Sequence, residues 1–208
     1  EIGRVTDKTF SFTNGDRDAA TNAWYLICWR ALDKVAPHLT RITQTLSLVA
    51  SQLTAYTLTT TPLAVIYIQP PHARRNERTF RMAVADDDFY RHEDQGEILF
   101  AQEGATSLIT RPAIDTAMDA TVHYIRKPAT ITTSVAQVHF DDQTLAAGAI
   151  GRLLHSINFP DAFYWIDERN PRMLTGTAYT LLHGELDTLR KIGNNSGLTM
   201  TSEHGPWV

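Results

Sequence analysis

The amino-acid sequence predicts an α+β fold: a helical bundle made by N- and C-terminal helices, with an inserted antiparallel β-sandwich or small barrel. Apolar residues recur at helical spacing from Arg17 to Ala36, Thr, Val and Ile dominate from Arg41 to about Ile131 with alternation at its start, and helical spacing returns at Asp141. These changes of period divide the chain into an N-terminal arm (1–15), one α+β domain (16–193) and a C-terminal tail (194–208). Within the domain, 16–37 and 141–193 form the helical part and 41–131 the β-rich insertion.

Residues 1–15 are polar and read as an extended arm, with Asp16 the expected helix cap. The first helix carries one stripe of Ala20, Trp24, Ile27, Cys28, Ala31, Leu32 and Val35 and stops at Pro37. Trp24 and Trp29 are expected to pack in the core, and Cys28 to be buried with them. The alternation of Ile42, Gln44, Leu46 and Leu48 opens the β region. Short strands are predicted near 41–49, 53–58, 63–69, 79–84, 96–101, 106–111 and 119–126, with antiparallel pairing. Pro70 and Pro71 end the third, and His72 to Arg78 is expected to form an exposed hairpin tip.

From Asp141 or Asp142 as cap, Leu145, Ala146, Ala149, Ile150, Leu153, Leu154 and Ile157 mark a long helix. Gly148 and Gly151 inside it each cost about 1 kcal/mol relative to alanine. With Thr144 and Ala147 they form a strip of small residues suited to close approach by another helix or a neighbouring subunit. Asp161 to Asp167 reads as a short helix bearing Phe163, Tyr164 and Trp165. Asn170 and Pro171 are expected to restart the chain as a last helix striped by Leu174, Ala178, Leu181, Leu182, Leu189 and Ile192 and closed by Gly193. The tail contains Leu198, Met200 and Trp207 in a polar setting and should be disordered alone.

With 208 residues, 43% of them hydrophobic, the chain can bury one substantial core. A net charge of -4 argues against general nucleic-acid binding, which needs a positive field. Cys28 is the single cysteine, so no intramolecular disulfide forms. No apolar run approaches the roughly 18 residues that span a bilayer, and membrane insertion is not expected.

No cofactor or metal motif is found. His92, Glu93 and Asp94 are consecutive and diverge on a helix, while Asp86, Asp87 and Asp88 suit a helix start. No glycine-flanked nucleophile and no phosphate loop appears, though a carboxylate pair could be hidden in any acidic β-protein. The dense basic stretch holds Arg74, Arg75, Arg78 and Arg81, whose guanidinium forks suit an acidic partner or phosphate if they do not simply solvate the tip.

In the order of its parts the chain resembles the head-to-tail adaptor (connector) proteins of tailed bacteriophages, of the podovirus tail tubular protein A type. The resemblance runs through Trp29-Arg30-Ala31-Leu32, Tyr56-Thr57-Leu58 to Pro62-Leu63-Ala64-Val65, and Leu145 to Leu154. It is one of layout over most of the chain, without a short diagnostic motif. It implies a structural virion protein at the head–tail junction, synthesised in the host cytoplasm. Such a protein forms a ring, commonly of twelve subunits, between the portal protein and a tail tube, nozzle or other tail component, and DNA passes through its lumen without sequence-specific binding. Arg74, Arg75, Arg78, Arg81, Gly148, Gly151, Leu198, Met200 and Trp207 are then the expected partner contacts. Rival readings are another neck, tail or capsid assembly module, and a hydrolase or lyase built on carboxylate or histidine groups.

Overall fold

The computed structural model describes residues 11–51, 55–71, 78–84, 86–94, 96–132 and 139–195, the backbone alone for Asp86–Asp88 and Gly193–Asn195. Arg74, Arg75, Leu198, Met200, Trp207 and most of the N-terminal arm lie outside the described residues. The elements, in chain order, are α1 (Asn14–Val35), α2 (Pro37–Thr40), β1 (Arg41–Leu48), β2 (Tyr56–Thr57), β3 (Pro62–Gln69), β4 (Thr79–Met82), α3 (Asp86–Arg91), β5 (Glu97–Glu103), β6 (Ser107–Arg111), β7 (Met118–Arg126), α4 (Asp142–Ser156), α5 (Ala162–Trp165) and α6 (Thr177–Asn195). The fold is mixed α+β, with six helices and two sheets among the described residues. It divides into two compact units, a helical one (1–36 with 128–208) and a β-rich one (37–127).

In the helical unit α1 starts on a capping box. The Thr13 hydroxyl accepts from the Asp16 N–H (3.2 Å), and the Asp16 carboxylate accepts from the Thr13 N–H (2.9 Å). Asp16 is therefore the third helical residue rather than the cap, because the reciprocal pair satisfies two end groups where a lone Asp16 cap would satisfy one. Thr13→Ala should cost about 1 kcal/mol, read as a lower denaturation midpoint; an unchanged midpoint would show the box to be idle.

α1 buries Trp24, Tyr25, Cys28, Trp29 and Leu32, and packs against α4 and α6. The Asn22 side-chain amide clasps the returning chain, donating to the Ile131 carbonyl (2.8 Å) and accepting from its N–H (2.7 Å). α4 is capped by Asp141, whose carboxylate accepts the Gln143 N–H at 3.2 Å.

α5 forms where expected, but the chain does not restart as a helix at Pro171. Asp167 and Thr175 instead exchange backbone hydrogen bonds of 2.8 and 3.1 Å, and the segment loops until Gly176. Gly176, at φ +108°, lies so close to Trp165 that a Cβ would be 2.6 Å from its carbonyl oxygen. α6 starts after that turn and continues past Gly193 to Asn195, since one glycine costs a helix only about 1 kcal/mol.

In the β unit one sheet has the order β1-β7-β3 and is antiparallel, and the other has the order β2-β6-β5-β4. The predicted alternation on β1 meets its partners on β7, with Ile42 opposite Tyr124, Leu46 opposite Ala120 and Leu48 opposite Met118. One apolar cluster draws from both sheets, among them Leu46, Leu48, Val122 and Tyr124 from the first and Phe80, Ile98, Phe100 and Leu108 from the second.

Three expectations are corrected. The strands do not close into a barrel: β2 and β4, of two and four residues, carry too little ladder to continue hydrogen bonding round to β1 and β3. Pairing is not antiparallel throughout, because β4 runs parallel to β5, and the intervening residues 83–96, with α3, supply the crossover that a parallel pair needs. Finally, β3 and β4 lie in different sheets and so are not paired as a hairpin; residues 72–77 of the expected tip between them lie outside the described residues.

Candidate interaction surfaces

Arg78 and Arg81 are engaged within the β unit. Arg78, its side chain 11% exposed, donates from one nitrogen to both oxygens of Asp115 (2.6 and 2.7 Å). Arg81 holds Glu97 through Nε (2.6 Å) and Nη2 (3.1 Å). The parallel register sets Thr79 beside Glu97, which brings Arg81, two residues on, to the same face. The bonds from Arg78 and Arg81 hold the Asp115 and Glu97 carboxyls below the usual carboxylate range. These two guanidinium groups are thus already neutralised, contrary to the expectation of a free basic contact.

The glycine strip is also occupied from within. A Cβ on Gly148 would lie 2.1 Å from the Trp24 ring, and one on Gly151 would lie 2.6 Å from Ile166. Trp24 is fully buried, donates Nε1–H to the Thr144 carbonyl (3.0 Å) and meets Tyr179 edge-on at 5.1 Å. The strip therefore serves close approach by this chain's own α1 and by Ile166, which leaves no room there for a neighbouring subunit. Glu185 closes the polar end, accepting from the Thr144 hydroxyl and the Asp141 N–H.

Because the glycine side of α4 faces inward, part of its aliphatic stripe faces outward. Ile150 and Ile157 are 38% and 40% exposed, Ala146 is exposed, and Ala149 and Leu153 are half-buried. These positions fall on one face at spacings of three and four. A helix apolar on both sides is normally enclosed on both sides. A second apolar surface lies on α5 and the loop after it, where Phe163, Tyr164, Met173 and Leu174 are exposed. It is held in shape by the Asp167–Arg169 pair (2.9 and 2.5 Å), with the Arg169 guanidinium 4.2 Å above the Phe163 ring. The arginine bonds bring the Asp167 carboxyl down to about 2. The aromatic run was legible in the sequence, but its exposure was not.

Several titratable groups are buried or held by structural partners. Burial, aided by the nearby Glu185 charge, pushes the Cys28 thiol far up, so it is protonated at neutral pH. His92 Nε2 sits 2.8 Å from the Glu97 carbonyl, and His155 Nε2 sits 2.7 Å from that of Ile166. Glu168 accepts from Arg152 (2.6 and 3.2 Å) and from the Tyr179 hydroxyl (2.6 Å), a network of separated residues that sequence spacing did not reveal. Among the described residues no three His, Cys, Asp or Glu side chains are grouped to hold a metal ion.

On the outer face of the β1-β7-β3 sheet, His123 stacks on Tyr67 (4.1 Å, 18°) and has Nδ1 3.0 Å from the Thr43 hydroxyl. Its Nε2 is buried without a partner among the described residues, and burial lowers its pKa from the usual 6.5. The unfolded chain therefore takes up this proton first. The stabilisation is present above pH 6.5, falls as the pH drops through that value and levels off below the folded pKa. Protection factors of the β7 amides, taken against the intrinsic exchange rate at each pH, should fall as the pH drops over that window. His123→Phe should abolish that part of the pH dependence, and an unchanged profile in the variant would assign it elsewhere.

No helix among the described residues is long and apolar enough to cross a membrane. No family model and no curated protein matches the chain.

Proposed function

We propose that the chain is a non-enzymatic structural subunit that works by assembling with copies of itself. The observation that carries this reading is α4, apolar on the side facing its own chain and apolar again on the side facing out. Enclosing the remaining surface of Ile150, Leu153 and Ile157 would contribute on the order of 1 kcal/mol each.

Together with the layout resemblance, this favours a ring at the head–tail junction of a phage particle, between portal and tail component, with DNA passing through its lumen. In this reading the helical unit is the bundle, and the two sheets of the β unit, sharing one core, are the layers of a sandwich. A net charge of -4 suits a channel through which DNA slides without being trapped.

Light scattering of the full chain over rising concentration, with particle imaging of the largest species, tests the reading. Closed rings are the expected result. A chain that remains monomeric at every concentration would overturn it.

A further inference from the structure

A groove of about 450 Å³ runs along α6, bounded at one end by the start of α4. Gly184 forms its floor and Leu181 and Leu189 its apolar sides, while Thr180 and Thr188 flank the glycine one turn away on either hand. Gly184 is exposed, and no atom lies within 4 Å of where its Cβ would be. Glycine in a helix interior costs about 1 kcal/mol relative to alanine. At Gly148 and Gly151 the vacated space is filled by Trp24 and Ile166; at Gly184 nothing among the described residues fills it.

The threonines beside it have turned their hydroxyls inward. Thr180 donates to the Gly176 carbonyl (3.1 Å) and Thr188 to the Gly184 carbonyl (2.9 Å), which leaves methyl groups outward. Two carboxylates line it: Glu185 is already engaged with Thr144 and Asp141, and the Asp141 carboxylate caps α4 by accepting the Gln143 N–H, so that with His139 they make one polar end. Along α6, between Leu181 and Leu189, the groove therefore asks for a ridge of aliphatic side chains.

Resting on the assembly reading above, we infer that this groove receives the outward α4 stripe of a second copy. The stripe from Ala146 to Ile157 covers twelve residues, and the α6 lining of the groove from Thr180 to Leu189 covers ten. At 1.5 Å per residue they are about 17 and 14 Å long. Branched side chains on one face meet glycine and threonine methyls on the other, so large fits small. One such helix pair buries less than the roughly 800 Å² per partner of a stable interface. A lone dimer would be weak. Each copy has both surfaces, however, and the surfaces differ, so contacts are head-to-tail and gain stability when the series closes.

Two single-residue variants of the full chain, Leu153→Cys and Gly184→Cys, sit at the middle of stripe and groove, so their proximity does not depend on helix direction. The native Cys28 is buried. A short bismaleimide should cross-link the two variants when they are mixed, and neither by itself. Gly184→Leu should weaken self-association roughly tenfold without lowering the unfolding temperature of the dissociated chain. If assemblies form but the mixture does not cross-link, or if Leu153→Cys links to itself, the groove contact is wrong and the assembly reading stands. If wild type never assembles, both fall.

Discussion

Replacing Gly148 with alanine is expected to disrupt the helical unit, although alanine is the better helix former. The substitution gains about 1 kcal/mol of helix propensity. Against that, the new methyl carbon would lie 2.1 Å from the Trp24 ring, where something must move. Trp24 has little freedom to do so: it is fully buried, hydrogen-bonded through Nε1 to Thr144 and edge-on to Tyr179. Overpacking of this kind costs about 3 kcal/mol or more once the buried hydrogen bond is also disturbed. The clash wins. Denaturant unfolding followed by circular dichroism should show a loss of at least about 2 kcal/mol. Adding Trp24→Phe, which shortens the ring system, should recover part of it, so that the double variant is less destabilised than the sum of the singles. Additive losses, or a Gly148→Ala chain as stable as wild type, would show that the two residues do not oppose one another.

The second large effect separates assembly from folding. Ile150→Asp combined with Ile157→Asp should abolish self-association, raising the dissociation constant by roughly a hundredfold or more, because two unpaired carboxylates would have to be enclosed. Both positions are more than a third exposed in the single chain, so each substitution should change its stability by only about 0.5 kcal/mol. Leu154→Asp is the contrasting control, since Leu154 is 4% exposed and its loss should unfold the helical unit. Light scattering and thermal unfolding of the same samples give both readouts. Retained assembly in the double aspartate variant would remove the outward stripe from the interface.

What the sequence made legible was local. Alternation marked β1, and enrichment in Thr, Val and Ile between turn signals marked the other strands; β1, β5 and β7 each turn one side to the shared core. Periods of three and four marked α1, α4 and the body of α6, though not the start of α6. Strand direction left no such trace, since a period of two is the same in parallel and antiparallel ladders. Only the length of the connection through Asp86–Arg91 carried that signal.

Four of the expected contacts are engaged within the chain, hidden from the sequence for a related reason. Gly148 and Gly151 announced that something comes close, but Trp24, which fills one of the gaps, lies 124 positions away in the chain. Arg78 and Arg81 looked like a basic surface because Asp115 and Glu97 approach only once β4 has paired with β5. Gly184, between Thr180 and Thr188, carries the same costly-glycine signal, but the sequence does not show that its gap stays open.

The clasp of Asn22 on Ile131 has a further consequence for how such a chain can change. The helical unit grips the chain a few residues after it returns from the β unit, using a side chain of its own first helix. The β unit thus enters and leaves the helical unit at two points, between residues 36 and 37 and between 127 and 128, so an insert of another length placed there should leave the anchoring bonds intact. Homologous chains could then differ most in what lies between these two points, and engineered ones could carry a cargo domain there.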